Sequence, residues 1–120
     1  MTTTPMDNVQ KIRPFLLNGW ENCGGWEEAG IYKNSNGEVR CEGLIKGDFS
    51  KLIFVFPEGF KPNKPHIFNL QANDAAHRVD VNEKGEVYFT NNGCIGSING
   101  SGWLSLDGLF FMQENNFSLY

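Results

Sequence analysis

Apolar and polar positions along this chain alternate with a period of two and nowhere hold the period of a helix. Val39, Cys41, Gly43 and Ile45 alternate with Glu38, Arg40, Glu42 and Leu44, which predicts one half-buried strand over Glu38 to Lys46. Val79 and Val81 share a face opposite Arg78 and Asp80, which predicts another over Arg78 to Asn82. Further apolar runs predict strands at Phe15 to Trp20, Ala29 to Lys33, Lys51 to Phe56, Pro65 to Ala72, Val87 to Thr90, Trp103 to Ser105 and Gly108 to Met112. No window of roughly 11 residues repeats apolar positions at i, i+3, i+4 and i+7 without Gly or Pro interrupting it.

Turn residues separate these runs. "NSNG" (Asn34 to Gly37) and "NEKGE" (Asn82 to Glu86) read as hairpin loops, since Asn and Gly tolerate the positive φ that tight turns require. Asp80, Asn82 and Gly85 also match the start of a calcium-binding loop. Lys84 and Asn91, however, stand where a ligand and a bidentate Glu are needed, so the segment is expected to be a hairpin turn. "PEGFKPNKP" (Pro57 to Pro65) carries three prolines, which fix φ and remove donors. It is expected to be a stiff connection with Phe60 packed inward. The spacing predicts an all-β fold, a single antiparallel β-sandwich or jelly-roll-like domain of eight to ten short strands. Residues 1–11 are expected to be a flexible N-terminal arm and residues 12–120 the domain.

Composition agrees with this and narrows the function. The chain of 120 residues carries ten Phe, three Trp and three Tyr with fourteen Gly, the ingredients of aromatic strands joined by turns. Net charge is −4 and the ten Lys and Arg are scattered, so the clustered cations of a nucleic-acid surface are missing and no nucleic-acid partner is expected. The N-terminal stretch lacks a signal-peptide pattern, and no apolar run nears the ~18 residues of a membrane span, so no membrane insertion is expected. Cys23, Cys41 and Cys94 form no C-x-x-C pair and are expected to be free thiols of a protein made in a cytoplasm.

Candidate chemistry is sparse. His66 and His77 are the only imidazoles, and no G-x-S-x-G elbow surrounds a serine. Glu27 and Glu28 are adjacent and would point to opposite faces of a strand. Asp74, Asp80, Glu83, Glu86 and Asp107 mostly sit beside turns, where carboxylates cap backbone N–H groups. A glycosidase pair of carboxylates is therefore a minor reading. No catalytic residue, metal ligand or cofactor is assigned. The Gly-rich stretch from Asn91 to Gly102 lacks the Lys and the following helix of a phosphate loop. What remains is aromatic rings near turns (Trp20, Trp26, Tyr32, Phe60, Tyr88 and Trp103) beside Asn, Asp and Arg, the residue types that stack on and hydrogen-bond sugars.

The segments "LLNGWENCGGW", "GIYKNSNGEVRCEGLIKG", "IFVFPEGFKPNKPHIF", "RVDVNEKGEVYF" and "WLSLDGLFF" follow one another as in a family of bacteriophage and prophage tail domains. The chain resembles the C-terminal head domains of tail fibre, baseplate and receptor-binding proteins over Phe15 to Met112. "FPEGFKP" (Phe56 to Pro62) and "WLSLDGLFF" (Trp103 to Phe111) stand where that family has "LP-x-GYRP" and "W-x-SLDG-x-x-F", with Phe60 and Lys61 replacing the usual Tyr and Arg. The resemblance implies a non-enzymatic virion component that acts in host attachment. It also implies a homotrimer that works with other phage tail proteins and binds host cell-wall polysaccharide or another surface receptor. An accessory tail role with no receptor of its own is the alternative. Residue type and loop position place a receptor site around Trp26, Tyr32, Asn73, Asp74, His77, Arg78, Asn91, Asn92 and Asn99.

Overall fold

The computed structural model describes residues 9–73, 75–90 and 101–113. They form an all-β sandwich of two antiparallel sheets, with eleven strands among the described residues. In chain order these are β1 (Gln10–Ile12), β2 (Glu21–Asn22), β3 (Gly30–Lys33), β4 (Glu38–Glu42), β5 (Leu44–Asp48), β6 (Phe54–Val55), β7 (His66–Ala72), β8 (Ala75–Val81), β9 (Glu86–Phe89), β10 (Ser101–Ser105) and β11 (Phe110–Met112). One sheet has the order β1-β3-β4-β11 and the other β2-β5-β10-β7-β8-β9-β6.

The two hairpin loops share one construction that their common Asn-x-x-Gly-Glu sequence dictates. In each, the Asn carbonyl accepts the Gly N–H three residues on, and the Asn side-chain oxygen accepts the N–H of the residue two ahead and of the closing Glu. Gly37 and Gly85 sit at φ 87° and 85°, the left-handed position that a bulged hairpin assigns to glycine. The Asn82 amide also donates to the Glu86 carboxylate at 2.7 Å, so the Asn82 side chain that matched a cation loop is engaged in the turn.

Near the N-terminus the structure corrects the expected pattern at two places. The stretch Phe15 to Trp20 is not a strand. Asn18 and Gly19 both have positive φ (55° and 85°), the Trp20 N–H donates to the Leu17 carbonyl at 3.0 Å, and the segment turns on itself. Gln10 and Lys11, placed in a flexible arm, pair instead with Lys33 and Tyr32.

The predicted strand over Glu38 to Lys46 has the expected alternation but is two strands in two sheets. Gly43, at φ 120°, bends the chain out of β4 and into β5. The inward face stays inward across the bend, so Val39, Cys41 and Ile45 are all buried. A second crossover lies against it. Leu106, Asp107, Gly108 and Leu109 form a turn between β10 and β11, closed by the Leu109 N–H donating to the Leu106 carbonyl, with Gly108 at φ 97°. The Leu106 N–H donates to the Gly43 carbonyl at 2.8 Å, and the Gly43 N–H to Asp107 Oδ1 at 3.0 Å. Corners that carry strands between packed sheets are built from such bends.

The core between the sheets is apolar throughout, with no polar or charged residue fully buried among the described ones. Trp20, Phe49 and Phe89 form one ring cluster, with centroids 4.8–6.2 Å apart. Phe54, Phe56 and Phe111 form another at 5.1 and 5.3 Å, which joins the two sheets. Most of the aromatic surplus is thus packing. In "PEGFKPNKP", Gly59 (φ 90°) closes a turn from Pro57 to Phe60. Phe60 packs against the core under Lys33, whose ammonium lies 5.6 Å from the ring and donates to the Gly59 carbonyl.

Cys41 is buried, and burial pushes its thiol up, well out of the ordinary range. Thiolate, the reactive form, is then absent at neutral pH. Iodoacetamide treatment of the native protein, followed by peptide mapping, is expected to leave Cys41 unmodified while the half-buried Cys23 is labelled. Labelling of native Cys41 at the Cys23 rate would contradict this packing.

Candidate functional site

The paired crossovers leave a groove of about 450 Å³ on the outer face of the larger sheet, over β5 and β10. This is within the usual size of ligand pockets, about 300–1,000 Å³. Trp26 and Trp103 line it, with Leu44 of β5 and Ser105 of β10, which are cross-strand partners, and the acidic residues Glu27 and Asp107 at the corner.

Local sequence sets each wall. In "CGGW", the Trp26 N–H donates to the Cys23 carbonyl, and Gly25 at φ 86° closes the turn. The turn is anchored by the Cys23 N–H donating to the Leu44 carbonyl and by the Leu44 N–H donating to the Glu27 carbonyl. Trp26 is thereby held outward and is 68% exposed. An indole presented in this way forgoes the burial that a ring of its size would gain.

Trp103 lies on β10 opposite Lys46 of β5. Asn73, in the left-handed region at φ 52°, clamps its backbone. The Asn73 N–H donates to the Trp103 carbonyl, and Asn73 Oδ1 accepts the Trp103 N–H, both at 3.1 Å. Gly102 makes room for this clamp, since a Cβ there would fall 2.4 Å from the Asn73 amide. Asn73, expected as a ligand contact, is therefore a positioning residue for one wall.

The remaining expected residues do not gather here. Tyr32 lies on the smaller sheet, between Lys11 and Arg40 in cross-strand register. These cations lie 5.1 and 4.7 Å from its ring centre, and its hydroxyl donates to Glu42 at 2.6 Å. Its hydrogen bonding with Lys11 holds that ammonium above the ordinary lysine value. His77 is half-buried on the Val79 side of β8. Arg78 is on the outer side, gripping Asp80 with two hydrogen bonds of 2.8 and 3.0 Å. Asp74, Asn91, Asn92 and Asn99 lie outside the described residues.

Comparison with protein-family models, curated proteins and solved structures finds no match. The site therefore has to be read from its own chemistry. Trp103 was expected only as one of six candidate rings, and Glu27, Leu44, Ser105 and Asp107 were not placed in the receptor site. The signal that could have found them is the pair of glycines, Gly43 and Gly108, interrupting strand patterns, because such glycines mark bends and close backbone approach. Among the described residues, no group of three or more His, Cys, Asp or Glu could hold a metal ion. No helix there is long and apolar enough to cross a membrane.

Proposed function

We propose that this chain is a non-enzymatic, receptor-binding-type domain of a phage tail that attaches to host-surface saccharide through the groove between Trp26 and Trp103. The observation that carries this reading is the outward indole of Trp26 beside a second indole and hydrogen-bonding groups. Flat rings stack on the C–H faces of sugars while polar neighbours meet hydroxyls. The order of segments resembling phage tail heads supports the tail assignment. The fold alone does not, since one sandwich serves many functions. A shallow groove binds a single sugar unit weakly. A homotrimer displayed among other tail proteins would turn weak sites into firm attachment through effective concentration.

Trp26→Ala tests this. The ring is mostly exposed, so its removal is expected to leave the melting temperature nearly unchanged. Losing one stacking platform is expected to weaken binding to purified host-wall polysaccharide by about 1–1.5 kcal/mol, roughly five- to twelvefold. Unchanged affinity would move the site elsewhere. A folded wild-type protein that binds no susceptible strain would leave the accessory tail role as the better reading.

A further inference from the structure

We propose that the groove selects saccharides carrying a free, protonated amine and rejects anionic wall polymers; this inference rests on the saccharide reading of the groove. Its lining holds two carboxylate residues, Glu27 and Asp107, and no Lys, Arg or His. Asp107 Oδ1 accepts the Gly43 N–H. Asp107 Oδ2 and the Glu27 carboxylate have no hydrogen-bond or ion-pair partner among the described residues.

The cations nearby lie outside the groove lining. Lys46, opposite Trp103, stands in register beside Glu21 of β2 and shares a separate depression of about 500 Å³ with Glu21 and Asp48. The Asp48 carboxyl is held below the usual carboxylate range by donation from the Ser50 N–H and hydroxyl, with Lys51 adding to the effect. Arg13 lies 3.5 Å from Glu28 and donates to the Ala29 carbonyl. Residues 1–8, 74, 91–100 and 114–120 contain no Lys, Arg or His at all. No side chain in those stretches can therefore supply a balancing cation.

Both components of the groove favour the same ligand charge. Indole faces attract ammonium groups through the ring quadrupole, and carboxylates accept charge-assisted hydrogen bonds from them. A phosphate or uronate meets the same two carboxylates as a like charge, and no cation lines the groove to offset the repulsion. The chemical class that fits is an amino sugar with an unsubstituted amine, the sugar ring on indole and the ammonium at the corner.

The test is a titration followed by tryptophan fluorescence, with a glucosamine tetramer, its fully N-acetylated counterpart, an oligogalacturonate and a lysine tetrapeptide. The glucosamine tetramer is expected to bind about tenfold tighter than the acetylated one, the yield of one charge-assisted hydrogen bond. That advantage should shrink as salt rises, and the oligogalacturonate should not bind. In Glu27→Gln combined with Asp107→Asn, the preference should vanish while both glycans still bind. The Asn keeps an acceptor for the Gly43 N–H, so the fold is retained, which a thermal melt checks. Equal binding of the two tetramers, binding of the oligogalacturonate, or a preference that survives the double substitution would overturn the proposal. So would a lysine tetrapeptide that binds as tightly as the glucosamine tetramer, because the sugar would then be irrelevant. If none of the glycans binds, the saccharide reading itself fails and this inference with it.

Discussion

Gly43→Ala is expected to destabilise the protein by about 3–5 kcal/mol and to abolish ligand binding in the same step. A Cβ at this position would lie 2.6–2.7 Å from the Glu28 carbonyl oxygen and the Ala29 N and Cα. These are backbone atoms that cannot rotate away. The residue also sits at φ 120°, where an L side chain is strained by about 1–3 kcal/mol. Overpacking adds a similar amount. Because typical domain stability is only about 5–15 kcal/mol, the thermal midpoint should fall by on the order of 10–20 °C. Relief of the clash would push away the chain at Glu28 and Ala29, next to Glu27, and loosen the Gly43–Asp107 hydrogen bond at the groove corner. A calorimetric scan and a binding titration on the same sample check both halves. A midpoint within a few degrees of wild type would show that the bend at Gly43 is not as tight as its neighbours imply.

Phe56→Ala is expected to cost a similar amount, about 3–5 kcal/mol for a large buried ring, with a different signature. Phe56 is fully buried, its ring 5.1 Å from Phe54 and 5.3 Å from Phe111, which belongs to the other sheet. It follows β6, at the edge of the larger sheet remote from β5 and β10, over which the groove lies. Denaturant unfolding should show the loss of stability. The protein that remains folded should bind ligand with wild-type affinity. Phe56→Leu should recover part of the loss, because it restores much of the removed volume. Matching declines in affinity for the Gly43 and Phe56 variants would mean that the groove responds to global loosening and not to its own corner.

Much of the fold was legible because burial and alternation report the same thing. The inward faces of β4, β8 and β9 follow the period-two pattern directly, and the two Asn-x-x-Gly-Glu loops carry their turn geometry in their residues. The sheet crossover at Gly43 was hidden for a physical reason: a strand that passes between facing sheets keeps its apolar side toward the same core. Alternation therefore runs through the bend without a break, and only the glycine marks it. Phe15 to Trp20 misled in the opposite direction. Its apolar residues suggested a strand, although Asn18-Gly19 is a strong turn signal.

The candidate site was less legible because its members are far apart in the chain and its expected members have other work. Residue type drew attention to Asn73, Tyr32 and Arg78, but each meets nearby protein groups: a backbone, a carboxylate with two cations, and an aspartate. Trp26 alone among the described candidates lines the groove. Nothing in composition could pair it with Trp103. That pairing depends on β5 lying beside both β2 and β10.

The bond between Gly43 and Asp107 spans 64 positions of the chain, and this has a kinetic consequence. The hairpins at Asn34 and Asn82 close only short loops and can form early. The corner must await the closure of a long one, whose entropy has to be met before its contacts return anything. The groove at that corner is therefore among the last parts of the molecule to exist during folding. A nascent or partly folded chain has no groove to occupy, so capacity to bind arrives only with the completed sandwich.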